Sequence, residues 1–167
     1  MSKNFDAFFI NGVYEEVLKD IADVQQDAPN QTLYLQPFSK SLIAQFRDSP
    51  PTQELPVRIL ASTTDNLSQI SYAGDVVGWK DKRELSQEEM AEIDKIISVY
   101  QPTEGIYESN PKTPPGVNLM LVLRMRKLDN PHNVGDLIKI SDGQPLSDHR
   151  TRAGGWSYVN IRENVEI

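Results

Sequence analysis

The 167-residue chain has no cysteine and only two histidines. The first absence excludes disulfides, thiolate zinc sites and cysteine nucleophiles, and it suits a reducing cytoplasm. The second leaves any metal site to be built largely from carboxylates. The best local set, Asp75, Asp81 and Glu84, is neutralised by Lys80, Lys82 and Arg83 and reads as a solvated, charge-paired turn. No metal and no cofactor are therefore expected. No apolar run approaches the ~18 residues that span a bilayer. The opening MSKNFDAFFINGVYEE lacks both a signal-length apolar stretch and a small-residue cleavage site. The expected location is cytoplasmic, with no membrane partner, and the polar ends MSKN and RENVEI read as complete termini. GxGxxG, GxxxxGK[ST], HExxH, GxSxG and a calcium loop are all missing. No catalytic residue is assigned.

Hydrophobic residues make up 38% of the chain and charged residues 25%, too apolar for disorder. At this length one domain, 1–167, is expected, burying roughly two thirds of the unfolded surface. The net charge of −7 is uneven, with −5 over residues 1–79 and −2 over 80–167. Indiscriminate binding of nucleic acid by the whole surface is disfavoured, because such affinity comes mainly from neutralised phosphates. A local basic face is still allowed, since Lys80, Lys82, Arg83, Arg124, Arg126, Lys127, Lys139, Arg150 and Arg152 all lie in the less acidic half.

FDAFFI (5–10) reads as a buried strand ended by an Asn11-Gly12 turn. Tyr14, Val17, Leu18 and Ile21 then fall at helical spacing. TLYLQP (32–37) alternates as a strand, and Ser39 caps a short helix with Leu42, Ile43 and Phe46 on its apolar face. PVRILAS (56–62) and ISYAGDVVGW (70–79) are further strands, the second interrupted at Ala73-Gly74-Asp75 by a bulge or a tight turn. Ser86 and Glu89 form a capping box for a helix continued by Met90, Ile93, Ile97 and Tyr100. After the proline-rich loop 101–116 comes the strand VNLMLVLRMR (117–126), and LDNPHNVG reads as a turn. DLIKIS is a short helix or strand, and WSYVNIR (156–162) is the last strand. The expected fold is α+β, a curled, mostly antiparallel sheet with about three flanking helices.

Two clusters carry candidate chemistry. His132 and His149 stand in polar segments and admit an acid–base pair of a metal-independent nuclease, with Arg150 or Arg152 on a phosphate, or simple solvated roles. The second cluster pairs two Gly-Trp elements with phenols and basic groups. Tyr72, Trp79 and Lys80 lie in ISYAGDVVGWKDKR, and Arg150, Arg152, Trp156 and Tyr158 in HRTRAGGWSYVN. Glycine lets backbone approach a ligand, and indole or phenol offers a flat stacking face. Ser71 or Tyr72 would then meet a base edge. The alternative for each tryptophan is core packing.

The order of FDAFFI, a helix, central strands leading to GDVVGW, a helical excursion and the long VNLMLVLRMRKLDNPHNVGDLIK resembles the PUA-like superfamily, in particular its EVE and ASCH type domains. There a strand after a glycine turn carries an I-V-G-like stretch, here 75–79, and a later strand runs into a Leu-x-x-Pro turn, here 128–137. The chain departs from that pattern in its first strand, which lacks a tryptophan, and in its GGWSYV segment. The resemblance implies a PUA-like partial barrel that reads a flipped or modified base of DNA or RNA in an aromatic pocket. Such domains work beside nucleases in bacterial or phage defence, so a nuclease partner is implied too. A competing reading without a pocket is an acidic interaction or regulatory subunit whose N-terminal half docks on a basic protein.

Overall fold

The computed structural model describes residues 4–35, 43–81, 84–89, 118–147 and 155–167. Ser39, Leu42, the helix expected beyond Glu89, the loop 101–116, His149, Arg150 and Arg152 lie outside the described residues. Among the described residues seven strands form one sheet: β1 (Ala7–Val13), β2 (Leu33–Leu35), β3 (Val57–Thr63), β4 (Gln69–Asp81), β5 (Asn118–Asn133), β6 (Leu137–Lys139) and β7 (Trp156–Ile161). Their spatial order is β2-β5-β4-β3-β1-β7-β6, so the sheet is open, with β2 and β6 at its edges, and does not close into a barrel. Among the described residues only β1 and β3 pair in parallel, and the other pairings are antiparallel. Helices α1 (Glu15–Asp27) and α2 (Ala44–Asp48), a helical turn begun at 87–89 and a 3-10 turn at Val134–Asp136 make up the rest of the described α+β architecture.

Alternation gives the sheet two apolar faces. On the first, Phe8, Ile10, Ile59, Tyr72, Val76, Met120 and Val122 pack with Val17, Leu18 and Ile21 of α1 and Phe46 of α2. On the second, Ala7, Phe9, Leu60, Ile70, Ala73 and Val159 pack with Val134, Leu137 and Leu146. Helix α1 forms where the spacing predicts, with Glu15 and Glu16 in its first turn, where acids favour the helix dipole.

Two local turn expectations are corrected, and the interruption expected at Ala73-Gly74-Asp75 is found as a bulge in the β4–β5 pairing. Asn11-Gly12 is not a turn: β1 runs through it to Val13, the register shifting between Ile10 and Val13. Gly12 takes the left-handed φ of 80°, and its N–H donates to the Ser62 hydroxyl at 2.9 Å, while that hydroxyl bonds Asn11. Buried side-chain bonds thus absorb a turn-prone dipeptide as a bulge. LDNPHN is likewise not a turn, because β5 continues to Asn133. Tyr72 pairs with Lys127 and Ile70 with His132, so the Asp-Asn-Pro segment loops out as a wide bulge within the pairing. The interruption at Ala73-Gly74-Asp75 lies on the partner strand. Ala73 pairs Arg126 and Asp75 pairs Leu123, leaving Arg124 with a φ of 57°. Gly74 stays flat beneath it, since a Cβ there would stand 3.1 Å from the Met125 Cα.

Gln25 holds this irregularity in place. Only 4% exposed, it donates from Nε2 to the carbonyls of Val122 and Gln31 and accepts the Met125 N–H at Oε1, each at 2.9 Å. Strand β2 reaches β5 only from Leu33, opposite Val122. Beyond that point the amide of a helix residue replaces the missing strand.

Candidate functional site

The sequence places two tryptophans at candidate positions, and the structure gives them different employment. Trp79 is half-buried on the first face. Its indole N–H donates to Asn118 Oδ1 at 3.2 Å, and the same oxygen accepts the Ile43 N–H at 2.9 Å. Asn118 is fully buried, so this trio fastens the start of α2 to β4 and β5. Trp79 is thereby committed to the fold.

Trp156 is also half-buried, but its indole N–H makes no hydrogen bond to a described residue. It lies in a cluster of five rings. Trp156 and Tyr158, two apart on β7, share a face and meet edge to face at 5.4 Å and 76°. Phe8 beneath them stands 5.4 Å from Trp156 and 5.6 Å from Tyr158. Phe5 and Phe46 flank Tyr158 at 4.6 and 6.2 Å. The pairing of Ile10 with Trp156 and Phe8 with Tyr158 fixes both rings over the first face. The Tyr158 hydroxyl is buried and, among the described residues, has no hydrogen-bond partner. Burial holds its ionisation well above the usual phenol range.

Tyr72 is on the same face as Tyr158, both packing in the first core, and it is 0% exposed. Its hydroxyl donates to Glu15 Oε1 at 3.0 Å, which also pairs with Lys127 Nζ at 2.9 Å. Burial first, then the Glu15 bond, raises the phenol far above its ordinary value. Tyr72 is therefore a core residue with a satisfied hydroxyl. Replacing Tyr72 by Phe removes one bond to a charged acceptor and should cost about 1–2 kcal/mol of stability in chemical denaturation. Lys80 is engaged by Glu89 at 2.6 Å, and Glu89 completes the capping box with Ser86.

The five expected site residues that are described, Tyr72, Trp79, Lys80, Trp156 and Tyr158, do not form one surface. Trp156 and Tyr158 sit together on β7, whereas Trp79 and Lys80 are near the far end of β4, three strands away in the sheet order. Helix α2 spans the interval, with its N-cap Ile43 at Asn118 and its Phe46 on Tyr158. His132 lies in β5 with Nδ1 3.9 Å from the Asp136 carboxylate, beyond hydrogen-bond reach. Among the described residues no group of three or more His, Asp or Glu is placed to hold a metal, and no helix is long and apolar enough to cross a membrane.

No family model, curated protein or solved structure matches the chain. Sequence reading missed Phe5, Phe8 and Phe46 as partners of the β7 aromatics, because their common face depends on a pairing between the first and last strands. It also missed Gln25 and Asn118. Polar side chains at apolar positions of a helix or strand were the available signal.

Proposed function

We propose that the protein is a nucleic-acid-binding module of PUA-like type that takes a flipped or modified base against the Trp156–Tyr158 rings. One observation carries this reading. The aromatic cluster holds two polar groups without partners among the described residues, the Tyr158 hydroxyl and the Trp156 indole N–H. A buried hydroxyl left unpaired costs about 1–3 kcal/mol, which a ligand group can return. Flat faces with a few free hydrogen-bonding groups are what reading an extruded base requires. Trp79, tied to Asn118, and Tyr72, tied to Glu15, support the scaffold in this account and do not touch the base.

Stacking of a base on an aromatic ring is worth about 1–3 kcal/mol. Filter binding of oligonucleotides carrying modified cytosine or adenine should therefore weaken about 5- to 150-fold in Trp156→Ala. Tyr158→Phe should keep the fold and lose discrimination between modified and unmodified strands. Equal affinity of Trp156→Ala and the parent for every oligonucleotide would remove the proposal. It would leave the acidic docking surface, net −5 over residues 1–79, as the better reading.

A further inference from the structure

The second face of the sheet carries a basic group that the base-reading account does not use. Arg58 alternates with the core residues Val57 and Ile59 and so points to the second face, the side of Leu60. Arg126 pairs with Ala73 and shares that side. Asp75 pairs with Arg58, and Arg124, turned by its left-handed backbone, closes on the Asp75 carboxylate at 2.6 Å. Arg124 thus holds the Asp75 carboxylate, Arg58 stands opposite Asp75 across the β3–β4 pairing, and the Arg126 charge acts on Arg58.

The remaining nearby acid, Asp6, already accepts the Ile161 N–H at 2.8 Å. Neither Arg58 nor Arg126 forms a side-chain hydrogen bond or ion pair among the described residues. Arg58 is only half-exposed. Its guanidinium is held below its usual range, first by desolvation and then by the Arg126 charge, which together outweigh the smaller opposing effects of Asp75 and Asp6. A half-buried cation crowded by a second cation is costly unless an anion neutralises it. In a protein of net charge −7 such crowding runs against the general balance.

We propose that Arg58 and Arg126 form a binding site for a phosphate-class oxyanion on the second face of the sheet. Guanidinium forks match the oxygens of such a group in bidentate fashion. Asp75 tunes the site by occupying Arg124. The aromatic cluster lies over the opposite face, so this site stands whether or not a base is read there. The anion is either a free phosphate or the backbone of a nucleic acid.

The test follows the arginine Nε–H resonances of the full chain during titration with inorganic pyrophosphate, and in a second arm with single-stranded oligothymidylate, at low ionic strength where screening is weak. Arg58 and Arg126 should shift together and saturate. Arg58→Gln or Arg126→Gln should weaken binding about tenfold, the equivalent of ~1.4 kcal/mol, while Asp75→Asn should strengthen it. Tighter binding in the oligothymidylate arm assigns the anion to a nucleic-acid backbone, and saturation by pyrophosphate alone assigns it to a free phosphate. Absence of saturable shifts in both arms, equal shifts at all arginines, or unchanged affinity in both Gln variants overturns the site.

Discussion

Gln25→Leu should destabilise the protein by about 3–5 kcal/mol, a large part of the ~5–15 kcal/mol that holds a typical domain together. Leucine keeps the volume of the side chain and removes its polar atoms, so packing loss is not the cause. The substitution strands the Val122 carbonyl and the Met125 N–H, both bound in buried hydrogen bonds, and the part-buried Gln31 carbonyl. Each stranded buried group costs about 1–3 kcal/mol. Denaturant unfolding measures the change directly. Gln25→Glu is a useful companion, because it keeps the acceptor for Met125 while replacing the donor with a charge that must be buried. It should be at least as damaging near neutral pH and should partly recover as pH falls and the carboxyl is protonated. A loss below about 1 kcal/mol in Gln25→Leu would mean that the β5 bulge does not depend on this amide.

The second large effect is expected at Asn118. Asn118→Ala leaves the Ile43 N–H without its acceptor and releases the Trp79 indole N–H. Loss of the buried acceptor and of side-chain volume together should cost about 2–4 kcal/mol. The damage should be local in character. With Ile43 unfastened, α2 loses its anchor to the sheet, and Phe46 loses its fixed position on Phe8 and Tyr158. Hydrogen exchange should therefore rise first in 44–48, and Trp79 emission should shift to the red as its indole gains water. Unchanged emission with unchanged exchange would show that the trio does not hold α2.

These two side chains also mark where sequence reading stops. Helix α1 is legible because Val17, Leu18 and Ile21 repeat at helical spacing behind two acids. The capping box of Ser86 and Glu89 is legible because both of its hydrogen bonds are local, and both are made. The alternation of β7 reveals that Trp156 and Tyr158 share a face. What they face is not legible, since it depends on β7 lying beside β1, a pairing across almost the whole chain. The same holds for turn residues. Asn11-Gly12 and Asp-Asn-Pro have strong local turn chemistry, yet long-range pairing of β1 with β3 and of β4 with β5 carries the strands through both as bulges. Gly-Trp pairs are similarly ambiguous. Trp79 and Trp156 have the same local signature and opposite environments, one indole N–H bound to a buried asparagine and the other free of described partners. Arg58 gives no signal beyond a lone charge in an apolar strand. Its meaning arises only when Arg124 and Arg126 are brought beside it two strands away.

In the proposed function Trp156, and not Trp79, is the surface that meets the base. That role is tested most directly by fluorescence titration of a Trp79→Phe protein, in which Trp156 is the sole indole, with oligonucleotides bearing single modified bases. The account predicts saturable quenching by a modified strand at low and moderate salt, abolished when Tyr158→Phe and a second substitution, Phe5→Ala, dismantle the ring cluster in a protein that remains folded. Quenching absent in Trp79→Phe but present in Trp156→Phe would contradict the claim, because the responding indole would then be the one bound to Asn118.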